Sequence, residues 1–307
     1  MLLFIWLISF WNGTIIRGVK KMNIGFIGAG KVGCSFGHYL KQQGLPIVGY
    51  YSSSRSSSFY AANLTRSSPL DFDELIKKSD YIFITTPDDA ISGIWNKMLK
   101  YDLEGKFIFH MSGCLSSSVF TGCKDKSAYC YSLHPLYSFA GKNSSNLENT
   151  IFSIEGENIE KIEPLLQKAN IHYFEIEEEN KPLYHIAAVF VSNYIVSLAK
   201  IAENLLIKCG LNKSQCVDGI YPLMESTLNN IRESGIDSAL TGPIVRGDIQ
   251  TVEKHLYGLD EYREIYENLG IIALEIAKSR KNLSDDTIYK LNKILRGDCN
   301  EKNCSDI

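Results

Sequence analysis

The sequence predicts an α/β chain in which a doubly wound parallel sheet is followed by an all-helical C-terminal domain. Three observations carry this. Between residues 24 and 176 short apolar runs alternate with helical patterns, the mark of repeated β-α units around a buried parallel sheet. A glycine-rich turn joins the first apolar run directly to the first helix. From Pro182 onward every segment has helical period. With 307 residues, 45% of them hydrophobic, the chain can fill one large or two medium cores. The change of character at Glu177-Glu-Glu-Asn-Lys-Pro182 sets the expected domains at 22–177 and 180–296.

The first strand is Ile24–Ile27, and Gly28-Ala29-Gly30-Lys31-Val32-Gly33 follows it. Gly28 permits a tight strand-to-helix turn, Gly30 lets backbone approach a pyrophosphate, and Gly33 lets helix pack on strand. The helix, running through Tyr39 and Leu40, points its N–H groups and positive dipole end at phosphate. A second strand at Pro46–Tyr51 completes a βαβ unit and turns a weak glycine pattern into a dinucleotide site. An NAD site would place an acid after that strand to hold the ribose 2′-hydroxyl. Here Ser52, Ser53, Ser54 and Arg55 stand there, with no acid before Asp71. Hydroxyls and a guanidinium suit a 2′-phosphate, so the cofactor expected is NADP.

Further along, a short helix is expected at Leu70–Lys78, a strand at Asp80–Thr85, a helix at Ala90–Lys100 and a strand at Lys106–Phe109. Strands at Ala128–Leu133 and Ile151–Ile154, a helix at Ile159–Ala169 and a strand at His172–Ile176 complete the sheet. Ligands of such sheets lie at the carboxyl ends of the strands. Three groups of polar residues fall there: Thr85, Thr86 and Pro87; His110, Ser112 and Gly113; and Ser132-Leu-His134-Pro135. Reducing a carbonyl calls for a proton or hydrogen-bond donor at the oxygen, a role that suits histidine. His134 and His185 are the expected proton donors, with His110 and Ser112 beside the cofactor; the bland alternative is that each His merely ends a strand.

The helical half reads as Tyr184–Lys208, Ser214–Glu233, Ile249–Tyr257, Glu261–Lys278 and Asp285–Leu295, with Asn180 as an N-cap and Pro182 in the first turn. His185, Ser192 and Asn193 form a polar stripe on an otherwise apolar helix, since seven residues make almost two turns. Thr241-Gly-Pro-Ile-Val-Arg246-Gly-Asp248 reads as a rigid turn. Asp248 is placed to cap the next helix and Arg246 to clamp a substrate carboxylate.

A formal charge of −3 without a basic-aromatic cluster argues against nucleic acid as a partner. The 8 cysteines, at 34, 114, 123, 130, 209, 216, 299 and 304, show no metal-ligand spacing and read as reduced thiols of a cytoplasmic protein. Met1–Trp11 is apolar but too short to span a bilayer. The strand starts immediately after Met22, so Met22 is taken as the start of the native protein and no membrane is expected. Cys299–Ile307 reads as a frayed tail.

These motifs, with Pro87-Asp-Asp-Ala-Ile91, His110-x-Ser112-Gly113, Leu133-His-Pro135 and His185-Ile-Ala-Ala-Val-Phe-Val-Ser-Asn193, resemble a family of Rossmann-like oxidoreductases. Its members join an NADP-type domain to a helical domain long catalogued as of unknown function, and the resemblance runs from Met22 to about Arg280. The chain is more distantly similar to pyrroline-5-carboxylate reductases and prephenate dehydrogenases. Relatives acting as alternative ketopantoate reductases imply the leading activity, NADPH-dependent reduction of a small 2-oxo acid, ketopantoate to pantoate. An imine reductase or prephenate-type dehydrogenase is the enzymatic alternative, and a non-catalytic NADP-binding sensor the other. One departure is plain: hydroxyacid dehydrogenases carry a catalytic Lys four residues before the interdomain Asn, and here Val189 occupies that position. The apolar helical domain makes a homodimer the expected assembly.

Overall fold

The computed structural model describes residues 22–143 and 147–297. The expectations for the N-terminal segment and for the Cys299–Ile307 tail lie outside these residues. By internal contacts the chain forms two compact units, one reaching Ser192 and one beginning at Asn193. The division therefore falls inside the helical run rather than at the acidic linker.

The first unit runs β1 (Ile24–Ile27), α1 (Lys31–Gln42), β2 (Ile47–Tyr51), α2 (Arg55–Thr65), β3 (Ser68–Pro69), α3 (Phe72–Lys78), β4 (Tyr81–Ile84), α4 (Asp88–Met98), β5 (Phe107–His110), β6 (Tyr129–Pro135), β7 (Ile151–Gly156), α5 (Glu163–Lys168), β8 (His172–Glu175) and α6 (Lys181–Val191). The strands form one sheet in the order β3-β2-β1-β4-β5-β6-β7-β8. The first six strands of that order follow the doubly wound pattern that reverses between β1 and β4.

One row of aromatic rings crosses the sheet and ties its register together. Tyr50, Phe26, Phe83, Phe109 and Tyr131 stack in sequence from β2 to β6, with centroids 4.9, 5.4, 4.6 and 5.3 Å apart. All five are wholly buried, and neighbours in the row are register partners across the ladders. On the other face Ile27, Ile82, Ile84 and Ile108 pack with Trp95 of α4 and Leu75 of α3. Buried aromatics and β-branched residues fit a sheet covered on both faces.

Two expectations need correction. The sheet is mostly parallel, as expected, but β7 runs antiparallel to β6, pairing Pro135 with Phe152 and Tyr131 with Gly156. A parallel return needs a crossover, usually a helix, and none occurs among the described residues between β6 and β7. The second correction concerns the cysteines. Cys123 and Cys130, read as reduced thiols, form a disulfide with Cα atoms 6.5 Å apart. They stand at the two ends of the turn that feeds β6, a proximity that their spacing of seven does not reveal. Cys34 and Cys216 are free and buried, and Cys114 and Cys209 are free and exposed.

The Ser-rich turn is also more ordered than its composition suggests. Ser54 caps α2 by accepting from the Ser57 N–H, and the helix carries the chain to Thr65.

The second unit runs α7 (Asn193–Lys208), α8 (Lys213–Ser234), α9 (Ile236–Ala239), α10 (Pro243–Arg246), α11 (Ile249–Tyr257), α12 (Arg263–Ser279) and α13 (Asp285–Leu295). Its core joins Ile244, Val252, Leu256, Leu274, Leu291 and Leu295, all from the last four helices. A reciprocal capping box of Asn212 and Gln215 starts α8. Asp248 caps α11 as expected, its carboxylate accepting from the Thr251 N–H at 3.1 Å. Asn180 takes the N-cap position of α6, but its side chain makes no cap.

Candidate active site

The glycine loop is built to be close-packed beneath and open above. Gly28 adopts φ +115°, a conformation other residues rarely take, and its N–H donates to the Tyr51 carbonyl at 2.8 Å. Thr85, at the end of β4, donates through Oγ1 to the Gly28 carbonyl at 3.0 Å. A Cβ on Gly33 would lie 2.4 Å from Thr85 Oγ1 and 2.5 Å from the Gly28 carbonyl oxygen, so Thr85 and Gly33 lock helix to strand. Thr85 thus braces the loop. By contrast, a Cβ on Gly30 would meet nothing within 4 Å, and no side chain caps α1 at that residue. The leading N–H groups of a twelve-residue helix therefore open onto free space, the setting that backbone offers a phosphate.

The neighbouring residues agree with a dinucleotide. Ala29 is buried in the core, Lys31 is exposed at the first turn of α1 and Val32 packs partly against the core. Beyond β2, Ser52 accepts from the Ser54 N–H at 3.3 Å, and Ser53, Ser54 and Arg55 are exposed. The Arg55 guanidinium lies 5.8 Å above the Phe59 ring and makes no ion pair among the described residues. Thr86, next to the loop, keeps a buried Oγ1 with no hydrogen-bond partner. Pro87 precedes α4 at its N-cap. An open helix end, an acid-free turn and an orphaned hydroxyl fit a dinucleotide with a 2′-phosphate.

Register sets the next residues side by side: Ile84 pairs with His110, and His110 with Ser132, at the carboxyl ends of β4, β5 and β6. His110 is wholly buried and spends both nitrogens on its own turn. The Ser112 N–H donates to Nδ1 at 3.3 Å, and Nε2 lies 3.0 Å from the Ser116 carbonyl. Burial pushes its imidazole down to about 4, so it is neutral. Ser112 is equally committed. Its Oγ donates to Asp88 at 2.7 Å and accepts from the N–H groups of Cys114 and Leu115. These two residues shape the turn that carries Gly113.

Two other histidines converge on that turn. A Cβ on Gly113 would lie 2.5 Å from His185 Nδ1 and 3.0 Å from His134 Nε2. The two rings stand 6.1 Å apart and nearly perpendicular. His134 Nδ1 is 2.7 Å from the Tyr184 hydroxyl, while the buried His185 Nδ1 has no partner. Burial first and the Lys181 charge second push His134 down to about 3. Burial raises Tyr184, so the phenol keeps its proton. His134 and His185, expected singly as proton donors, thus lie on one turn, with Tyr184 beside them as a residue the sequence did not single out.

Lys181 is the residue that sequence reasoning passed over. It opens α6 and is wholly buried. Its Nζ donates to Ser132 Oγ at 2.6 Å and to the Ser112 carbonyl at 3.4 Å. Burial lowers it to about 8, with Glu155, Cys114 and Asp88 partly offsetting the loss. A lysine in an acidic linker ordinarily reads as solvated, and only the fold shows it turned inward.

Asn193 and Arg246 belong to the second unit. Asn193 is the exposed first residue of α7, and Arg246 is the exposed last residue of α10, just before Gly247. The charge of Arg246 helps hold the Asp248 carboxyl below its usual range, after the bonds from Thr251.

Comparison with known proteins agrees with this architecture. Residues 12–135 match the model of a Rossmann-like domain, and residues 150–272 match the domain of unknown function DUF2520. No curated protein sequence matches the chain. Among solved structures, a Thermotoga maritima protein is 26% identical with a TM-score of 0.68, covering 84% of this chain and all of its own. A Bacteroides fragilis protein, provisionally named an NADP oxidoreductase, is 22% identical over 85% of this chain and 100% of its own, with a TM-score of 0.66. Pyrroline carboxylate reductase from Plasmodium falciparum, solved with NADP bound, shares the fold at 14% identity. It has a TM-score of 0.58 and covers 90% of this chain and 99% of its own.

Proposed function

We propose that this chain, a Rossmann-like domain running into a DUF2520 domain, is an NADPH-dependent reductase of a small 2-oxo acid, with ketopantoate as the leading substrate. The observation that carries the reading is the convergence of His134 and His185 on Gly113, at the strand ends beside the open glycine loop. A dinucleotide-binding sensor has no use for such donors. NADP is supported by the acid-free turn with Arg55 and by the NADP bound in the similar pyrroline carboxylate reductase.

In this reading Gly28–Gly33 and the N-terminus of α1 hold the pyrophosphate, while Ser52–Ser54 and Arg55 hold the 2′-phosphate. Thr86 serves the nicotinamide end. When bound, NADPH supplies a hydride. The chain's own contribution is a hydrogen-bond donor at the carbonyl oxygen. His134 Nδ1 lies 2.7 Å from the Tyr184 hydroxyl, and the reading assigns the O–H as donor and the ring proton to Nε2, over Gly113. A neutral imidazole donating to a developing alkoxide needs no protonation at pH 7. Arg246 is the proposed clamp for the substrate carboxylate.

Cyclic imines form the second reading, because a solved imine reductase from Pseudomonas sp. shares the fold at 16% identity and a TM-score of 0.54. A panel of 2-oxo acids and cyclic imines followed by NADPH absorbance tests both. Turnover of oxo acids, ketopantoate foremost, is expected. Turnover of imines alone overturns the substrate assignment, and tight NADPH binding with no turnover favours the sensor.

The assembly we propose is a homodimer. The helical stretch Glu178–Lys208 is long and apolar enough to cross a membrane, and its most apolar part, with a mean hydropathy of 1.5, is not buried within the chain. The 22-residue α8 buries only Cys216 and exposes Val217, Tyr221 and Leu228. Apolar surface of this extent is covered in a stable protein, and a second copy presents the same surface.

A further inference from the structure

Lys181 combines three features that each work against it. It is a cation with no solvent exposure, it stands at the first position of α6 where the helix dipole is positive, and no ion pair among the described residues includes it. Among the described residues its hydrogen bonds go to Ser132 Oγ and the Ser112 carbonyl, both neutral. A methionine would fill a similar volume without the desolvation penalty. What the ammonium does possess is position. Ser132 and His134 alternate onto one face of β6, and Tyr184 and His185 follow Lys181 within the first turn and a half of α6.

We propose that Lys181 is a positioning residue whose buried charge holds His134 as a neutral Nε2–H donor and makes the site select carbonyl substrates over iminium ions. The inference rests on the reductase reading. Every group packed around His134 agrees with it. From α6 come Lys181, Tyr184 and His185, and from β5 comes His110, while Asp88 is engaged by Ser112 Oγ and Glu155 by the N–H and Oγ of Ser117. Asp88 and Glu155 keep their charges and support that of Lys181, whereas the groups that act on the His134 ring itself, Lys181, His185 and His110, all disfavour a second proton on it. A second cation on the imidazole is disfavoured, as burial and the Lys181 charge both show in its depressed affinity for protons. The same field favours an oxygen that gains negative charge as it is reduced. It disfavours a substrate that arrives positive, and a carbonyl and an iminium differ in this respect.

The test uses the full-length protein and imidazole ¹⁵N NMR, which reports both the titration and the tautomer of His134 without substrate or cofactor. In the wild type, His134 stays neutral with its proton on Nε2 from pH 8 down to pH 5. In Lys181→Met its midpoint rises by at least one pH unit, while near-UV circular dichroism and the Kd for NADPH are unchanged. On an oxo acid the variant loses roughly tenfold or more in kcat with little change in KM, and Lys181→Arg recovers part of the loss. The ratio of imine to oxo-acid turnover rises. An unchanged His134 midpoint in the folded variant overturns the proposal. If Lys181→Met does not fold, Lys181→Gln, which retains a donor for Ser132, is read in the same way. If neither folds, the wild type decides: His134 ¹⁵N shifts that follow Lys181 ionisation between pH 7 and 10 support the role, and flat shifts refute it. Oxo-acid turnover with a His134 indifferent to Lys181 removes this inference alone. A responsive His134 with no oxo acid reduced removes the reductase reading alone.

Discussion

At the scale of single residues, Gly113 is where space decides. Any side chain there meets two imidazoles at once, at 2.5 and 3.0 Å. Gly113→Ala must therefore displace His134 and His185 from one another. We expect kcat to fall by roughly 10²-fold, as misplacement of about 1 Å does, with stability lowered by about 1–3 kcal/mol. Steady-state kinetics beside urea unfolding separates the two effects, and near-wild-type turnover would remove both rings from the reaction. The histidines also set an acid limit. His110 falls to about 4 and His134 to about 3, both below the ordinary value of 6.5. As pH drops below 6.5 the unfolded chain takes up protons that the folded chain refuses, so their stabilising effect is complete above 6.5 and lost toward 4 and 3. Each histidine contributes about 1.4 kcal/mol per pH unit in that window. Urea midpoints from pH 7.5 to 5 should fall steeply, and His134→Gln should flatten the slope; equal slopes would contradict the buried neutral ring. Lys181 has the same sign at the alkaline end, with stability rising from about pH 8 toward 10.5 as the unfolded lysine alone remains charged.

At the scale of elements, the α2 N-terminus and the aromatic row each make a claim. Arg55 begins α2 with its guanidinium exposed. Arg55→Ala should weaken NADPH binding by about 1.5–3 kcal/mol while leaving NADH nearly untouched. Titrating both cofactors by nicotinamide fluorescence checks this, and an equal loss for the two sinks the 2′-phosphate assignment. Phe83 stacks on Phe26 and Phe109 in the centre of the row. Phe83→Ala should cost about 3–5 kcal/mol in chemical unfolding, because a buried phenyl leaves a cavity between rings that cannot close. What the sequence disclosed at this scale follows from period. The strands of continuous apolar residues and the helices beginning at Asp285 and Ile249 were legible, since a buried face imposes its repeat. The helix from Arg55 was hidden because its first turn is serine, which favours turns and caps alike. The direction of β7 was hidden too, because strand polarity is set by the connection and leaves no mark on the strand's own residues.

For the whole molecule, the first test is mass. Size-exclusion chromatography with light scattering should give about twice the 34.5 kDa of the chain. A monomer would contradict the proposed assembly, and recovery of the chain only with detergent would point to a membrane as the cover for its apolar helices. The site was legible in proportion to how locally it is encoded. The glycine loop and the strand-end histidines advertise themselves in a few consecutive residues. Lys181 does not: its burial depends on β7 reversing, on β8 returning, and on α6 starting beside Ser132, three tertiary events that no short window records.

That reversal also has a consequence for how such a protein diversifies. Two antiparallel strands can be joined by two residues, yet β6 ends at Pro135, beside His134, and β7 begins only at Ile151. Lengthening a surface loop is thermodynamically mild, about 0.6 kcal/mol for each doubling. The exposed residues Leu136, Tyr137 and Ser138 of this connection can be rewritten without shifting any strand's register, whereas a change in β5 or β6 would disturb the aromatic row. Descent can therefore tinker with the rim and inherit the histidines, so novelty in substrate choice should accumulate in this connection while the sheet stays fixed.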